Sequence, residues 1–136
     1  MKHQFIGNVA VLVRAYEEAK TWYCELLGFS VIEDTPLPDG KRWILLAPPG
    51  STETRILLAR AATAEQAAAV GAQAGGRVFL FLHTDDFWRD YDAMRDRGVR
   101  FCEEPRKESY GTVAVFEDLY GNRWDLLCPT IESCCE

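Results

Sequence analysis

A chain of 136 residues that is 48% hydrophobic can form one compact domain or two small halves sharing a core, and it is too apolar for a disordered chain. A formal net charge of −6 argues against nucleic acid, which selects basic surfaces. With no apolar run near the length of a membrane span and no signal peptide, no membrane partner and a cytoplasmic location are expected.

In chain order, residues 5–13 alternate, with Val9, Val11 and Val13 on one face and Asn8, Ala10 and Leu12 on the other, which predicts a strand. Ala19, Trp22, Tyr23, Leu26 and Leu27 fall at helical spacing over 16–27, and Gly28 is a fitting stop. A strand over 29–34 follows, then a turn over 35–40 supplied by Pro and Asp-Gly. Residues 41–47 and 54–60 read as a hairpin around Pro48-Pro49-Gly50. The alanine-rich stretch 61–76 is expected to be a connector with one helical turn over 63–70. A strand over 77–83 and a helix over 85–97, capped by Thr84 or Asp85, come next. Strands at 99–104, 111–117 and 123–128 complete the order, with a loop over 105–110 and a turn over 118–122. The tail from 129 to 136 is expected to fray.

The same order thus occurs twice. The separation is 69 residues from Asn8 to Arg77, 70 from Gly28 to Gly98, and 68 from Arg55 to Arg123. A steady offset across three landmarks predicts an internal duplication, β-α-β-β-β in each copy. The fold class expected is α+β. A single domain over 1–128 would comprise repeat 1 (about 5–60), the connector 61–76 and repeat 2 (about 77–128).

Several stretches carry a family resemblance: Asn8-Val-Ala-Val-Leu-Val13, Ala19-x-x-Trp-Tyr-x-x-Leu-Leu-Gly-Phe29, Arg42-Trp43, Tyr110-Gly111, and Phe116-Glu-Asp-Leu-Tyr-Gly-Asn-Arg-Trp-Asp-Leu126. On these the chain resembles the vicinal oxygen chelate superfamily, which includes glyoxalase I, bleomycin resistance proteins, fosfomycin resistance proteins and extradiol dioxygenases. Leu119 replaces the family's usual proline, and Ala15 its usual helix-starting aspartate. The resemblance implies two βαβββ modules whose curved mixed sheets enclose a cleft, and a homodimer. Metal-dependent members of the family use four ligands, which carry over here to Asn8, Leu57, Arg77 and Asp125. Leu57 has no lone pair to give, and Arg77 is a fixed cation without an acceptor. No resident metal or other cofactor is therefore expected.

Strand alternation places Arg55 with Leu57, Arg77 with Phe79 and Phe81, and Arg123 with Asp125 on the faces that would line the cleft. Trp43 and Tyr110 join them as ligand-binding candidates, Tyr110 at the rim. Arg77 and Asp125 have two readings: an ion pair filling the vacated metal position, or a guanidinium that grips an anionic ligand group. Asp125 is a weak candidate for a general base, which burial would favour and a neighbouring arginine would oppose. Trp22, Tyr23, Trp88 and Tyr91 read as core. The two histidines, His3 and His83, match no ligand position. Five cysteines, Cys24, Cys102, Cys128, Cys134 and Cys135, match no zinc spacing; Cys24 and Cys102 read as small apolar fillers. The expected function is capture of a small aromatic or anionic molecule, of the sequestration or resistance type. The alternative is a metal-dependent lyase, isomerase or dioxygenase of the glyoxalase type.

Overall fold

The computed structural model describes residues 2–130 and divides the chain into two compact units, Met1–Val70 and Gly71–Glu136. The first contains β1 (Asn8–Val13), α1 (Tyr16–Leu26), β2 (Ser30–Pro36), β3 (Arg42–Ala47), β4 (Arg55–Arg60) and α2 (Ala64–Ala69). The second contains β5 (Val78–His83), α3 (Phe87–Asp96), β6 (Arg100–Phe101), β7 (Arg106–Glu108), β8 (Gly111–Glu117) and β9 (Arg123–Pro129). The sheet orders are β1-β4-β3-β2 and β5-β9-β8-β6, with β7 also paired to β8. In both units the first and last strands run parallel, and the remaining pairings are antiparallel. Leu45 stands across from Leu57 as Val115 stands across from Asp125, so the duplication read from the sequence holds at the level of register.

The first sheet buries Val11, Val13, Ile44, Leu46, Ile56 and Leu58 on one face, together with Ala19 and Tyr23 of α1. Each such side chain contributes about 1.5–3 kcal/mol by leaving water, which is why the valine alternation and the helical spacing agree on one core. α1 starts at Ala15 without a side-chain cap, and Glu17 and Glu18 in its first turn complement the exposed N–H groups instead. The second core is aromatic: Phe87 stacks on Tyr91 at 5.4 Å, Tyr91 meets Phe101 at 4.6 Å, and Phe116 lies between Phe101 and Trp124.

The structure corrects several boundaries. Phe5 and Ile6 are exposed and precede β1 rather than belonging to it. The cap of α3 is Asp86, whose side chain accepts from the Arg89 N–H, rather than Thr84 or Asp85. Thr84 instead donates to Asp90 and accepts from the Asp86 N–H. The strand expected over 99–104 shrinks to Arg100–Phe101, and the expected loop contains β7, because residues 106–108 find free ladder positions along β8. The connector is divided: its helix α2 contacts β1, and Thr63 and Gln66 cap it reciprocally through Gln66 N–H to Thr63 Oγ1 and Ala62 N–H to Gln66 Oε1. Of the four ring residues read as core, Tyr23 and Tyr91 are buried and Trp22 is half-buried, but Trp88 is 44% exposed. Cys102 is exposed rather than a filler. Cys134 and Cys135 lie outside the described residues. Among the described residues, no helix is long and apolar enough to cross a membrane.

Candidate ligand-binding site

The first sheet carries a groove of about 330 Å³. Leu12, Leu57 and Ala59 supply its floor from β1 and β4, and Trp43 of β3 flanks them. They share the face opposite the buried valines, since Ala10 stands across from Leu57 and Leu45 stands across from Leu57 as well. Leu37 and Lys41 come from the turn between β2 and β3, and Gln66 from the first turn of α2. That turn is tight: Pro38–Gly40 forms a single 3-10 turn, Asp39 adopts φ 64°, and the Leu37 N–H reaches back to the Lys41 carbonyl. Trp43 is 36% exposed and lines the groove.

Arg42 fixes the groove's outer wall. Its Nε and Nη2 bind the two oxygens of Asp34 at 3.1 and 2.6 Å, Nη1 reaches Glu17 at 2.7 Å, and Lys20 adds a 2.8 Å contact to Asp34. The Arg42 guanidinium, then the Lys20 ammonium, lower the Asp34 carboxyl from its ordinary 3.8 to about 2. A folded value below the unfolded one means that the contribution to stability is present above about pH 4 and is lost as the pH falls toward 2. Asp34→Asn is expected to remove about 1–2 kcal/mol at neutral pH, discounted for its partial exposure. Urea titrations should show the gap to the wild type constant from pH 8 to 5 and closing between about pH 4 and 2. A gap undiminished at pH 2 would contradict this assignment.

Of the sequence-derived candidates, Trp43 and Leu57 line this groove. Asn8 and Arg55 pair with each other at the opposite end of the same strands, and Arg55 Nε is buried with no hydrogen-bond partner. In the second unit Phe81 stands across from Asp125 and is 59% exposed. Arg123 stands across from Glu117 and from Val78. A bulge between Val78 and Leu80 puts Val78, not Phe79, opposite Arg123, so the regular register of Phe81 with Asp125 does not extend back to Arg77. Arg77 lies before β5 and is exposed.

The expected ion pair of Arg77 with Asp125 is likewise corrected. Asp125 is 6% exposed, its Oδ1 has no hydrogen-bond partner, and burial raises its carboxyl above the ordinary range. The cation that acts on it is Arg106, which lowers it, while Glu103 raises it. Arg106 in turn binds Glu103 and Glu108 and reaches the Tyr110 hydroxyl at 3.4 Å. Glu103 also accepts from the Val115 N–H at 3.2 Å. Sequence reading missed Glu103 and Arg106 because 99–110 was split between a strand and a loop. It missed Lys41, Leu37 and Gln66 because nothing local shows a turn and a short helix meeting at one strand end.

The donor set does not fit a divalent ion. Of Asn8, Leu57, Arg77 and Asp125, only two have oxygen donors, and among the described residues no three His, Cys, Asp or Glu side chains converge.

Over residues 5–126 the sequence matches the Glyoxalase/Bleomycin resistance protein/Dioxygenase superfamily. The chain belongs to this superfamily. A protein of Shewanella frigidimarina (strain NCIMB 400), described as uncharacterized, is 54% identical over 125 residues, which cover 91% of this chain and 93% of that one. The Bacillus subtilis (strain 168) protein YetH is 31% identical over 117 residues, covering 86% and 92%. Among solved structures, TnmS3, an antibiotic binding protein from Streptomyces sp. CB03234, matches with a TM-score of 0.79 at 30% identity, covering 96% of this chain and 99% of that one. The sheet order and the internal duplication are those of the superfamily's fold, as the sequence resemblance implied.

Proposed function

We propose that this member of the superfamily is a binding protein that holds a small, largely apolar molecule in the groove of its first sheet, without a resident metal. The observation that carries the reading is the groove itself: an apolar floor of Leu12, Leu57 and Ala59 with the ring of Trp43 at its side. Its volume of about 330 Å³ is at the small end of ligand sites and suits a molecule of two or three rings. Capture requires burial and ring stacking, and neither a base nor a metal. The likeness to TnmS3, an antibiotic binding protein, supports the same class of activity.

The neutral fluorescent probe N-phenyl-1-naphthylamine tests the reading. Its emission should rise saturably with one site per chain. Leu57→Arg, which puts a charged side chain through the floor, should weaken binding by at least about 10-fold, the loss expected when an apolar contact surface is replaced by a desolvated cation. Trp43→Ala should weaken it by about 3- to 10-fold through the lost stacking surface, and because Trp43 is partly exposed this variant should keep its melting curve. Unchanged binding in both variants would refute the groove as the site.

A further inference from the structure

We infer that the groove selects molecules whose apolar ring system carries an anionic group, and that Arg60, assisted by Lys41, recognises that group. The inference rests on the proposed binding function and names the ligand class of that same site. The residues lining the groove include three cations, Lys41, Arg42 and Arg60, and no carboxylate. In a chain with 21 acidic and 15 basic side chains, that balance is opposite to the surface as a whole.

The three cations are not equivalent. Arg42 is committed, since Asp34 and Glu17 between them occupy its Nε, Nη1 and Nη2. Neither Arg60 nor Lys41 forms an ion pair among the described residues. Arg60 is nevertheless held in place: its guanidinium carbon lies 5.0 Å from the centroid of the Tyr16 ring, and Nη2 approaches Gly40 of the turn. Tyr16 is itself buried, so it is a fixed platform. A cation–ring contact uses no N–H as a hydrogen-bond donor to an oxygen, so the Arg60 guanidinium keeps the planar fork that matches a carboxylate, sulfonate or phosphate. An arginine already ordered on a ring loses less freedom when it binds an anion than a free one does. Lys41 follows Gly40 directly and adds a second positive charge on the same turn. Apolar floor, ring wall and one oriented, unneutralised guanidinium together define a ring-bearing organic anion.

Two probes with the same ring framework separate the inference from the reading beneath it: neutral N-phenyl-1-naphthylamine and 1-anilinonaphthalene-8-sulfonate. Arg60→Gln is expected to weaken the sulfonate by about 5- to 30-fold and the neutral probe by less than about twofold. Lys41→Gln should weaken the sulfonate by about 2- to 5-fold, and raising the salt from 0.05 to 0.5 M should reduce sulfonate binding alone. Arg60 and Lys41 are exposed, so both variants should fold, and their melting curves check it. If the neutral probe binds and is lost in Leu57→Arg, but the sulfonate ignores both Arg60→Gln and Lys41→Gln, the anion inference is overturned while the binding function stands. If neither probe responds to Leu57→Arg, the binding function fails and the inference with it.

Discussion

Asp118→Ala is expected to lower the stability of the protein by about 3–5 kcal/mol, more than a substitution in the groove. Asp118 is buried at the start of the turn between β8 and β9. Its Oδ1 accepts from the backbone N–H groups of Tyr120 and Asn122 at 3.0 Å each. Its Oδ2 accepts from Asn122 Nδ2 at 3.0 Å and from Trp124 Nε1 at 3.4 Å. Bonds to a charged acceptor are worth about 1.5–3 kcal/mol each, and alanine would strand buried donors that no water replaces. The damage should spread along β9, because Trp124 stacks on Phe116 and the next strand positions carry Asp125 and Leu126. Asp118→Asn keeps an acceptor for the two backbone groups and should lose about half as much. Urea unfolding followed by tryptophan fluorescence measures both; an alanine variant within about 1 kcal/mol of the wild type would show that the turn is held by its backbone alone.

Gly111→Ala is expected to cost about 2–4 kcal/mol for a different reason. Gly111 adopts φ 154°, and a Cβ there would collide with the Cys128 carbonyl oxygen and sit 2.9 Å from Leu127 Cδ1. The first contact is with backbone, in the ladder that pairs Gly111 with Pro129, so no side-chain rotation relieves it. The ladder must open at that end, which also releases the bond from the Thr130 N–H to the Tyr110 carbonyl. Gly50→Ala is the control, since Gly50 has φ 74° with nothing within 4 Å of the added carbon. It should cost only the backbone term of about 1–2 kcal/mol. Equal losses in the two variants would mean that the close approach of β8 and β9 contributes nothing.

The two substitutions also mark what was legible. Phe116-Glu-Asp-Leu-Tyr-Gly-Asn-Arg-Trp-Asp-Leu126 is distinctive as a string because one carboxylate serves a whole turn, and such a local arrangement needs its residues in fixed order. Gly111 read only as the first residue of a strand, whereas the need for glycine there comes from a neighbouring strand later in the sequence. The facing of Leu57 was legible from alternation, because an unbroken strand keeps its period. The place of Arg77 was not, because one extra residue in β5 shifts the register and no composition marks a bulge there.

By itself the sequence determined the duplication, the main strands and helices of each copy and the family, since each is written in short-range periodicity or in a contiguous motif. It also settled that Leu57 and Arg77 cannot serve as metal ligands, because that follows from side-chain chemistry alone. Tertiary structure alone decided which charges stand near one another. It set Arg106 and Glu103 rather than Arg77 beside Asp125, used up Arg42 on Asp34 and Glu17, and left Arg60 against the Tyr16 ring at the groove. Charge–charge and cation–ring energies fall off within a few ångströms, so their partners depend on three-dimensional distances that no one-dimensional period encodes.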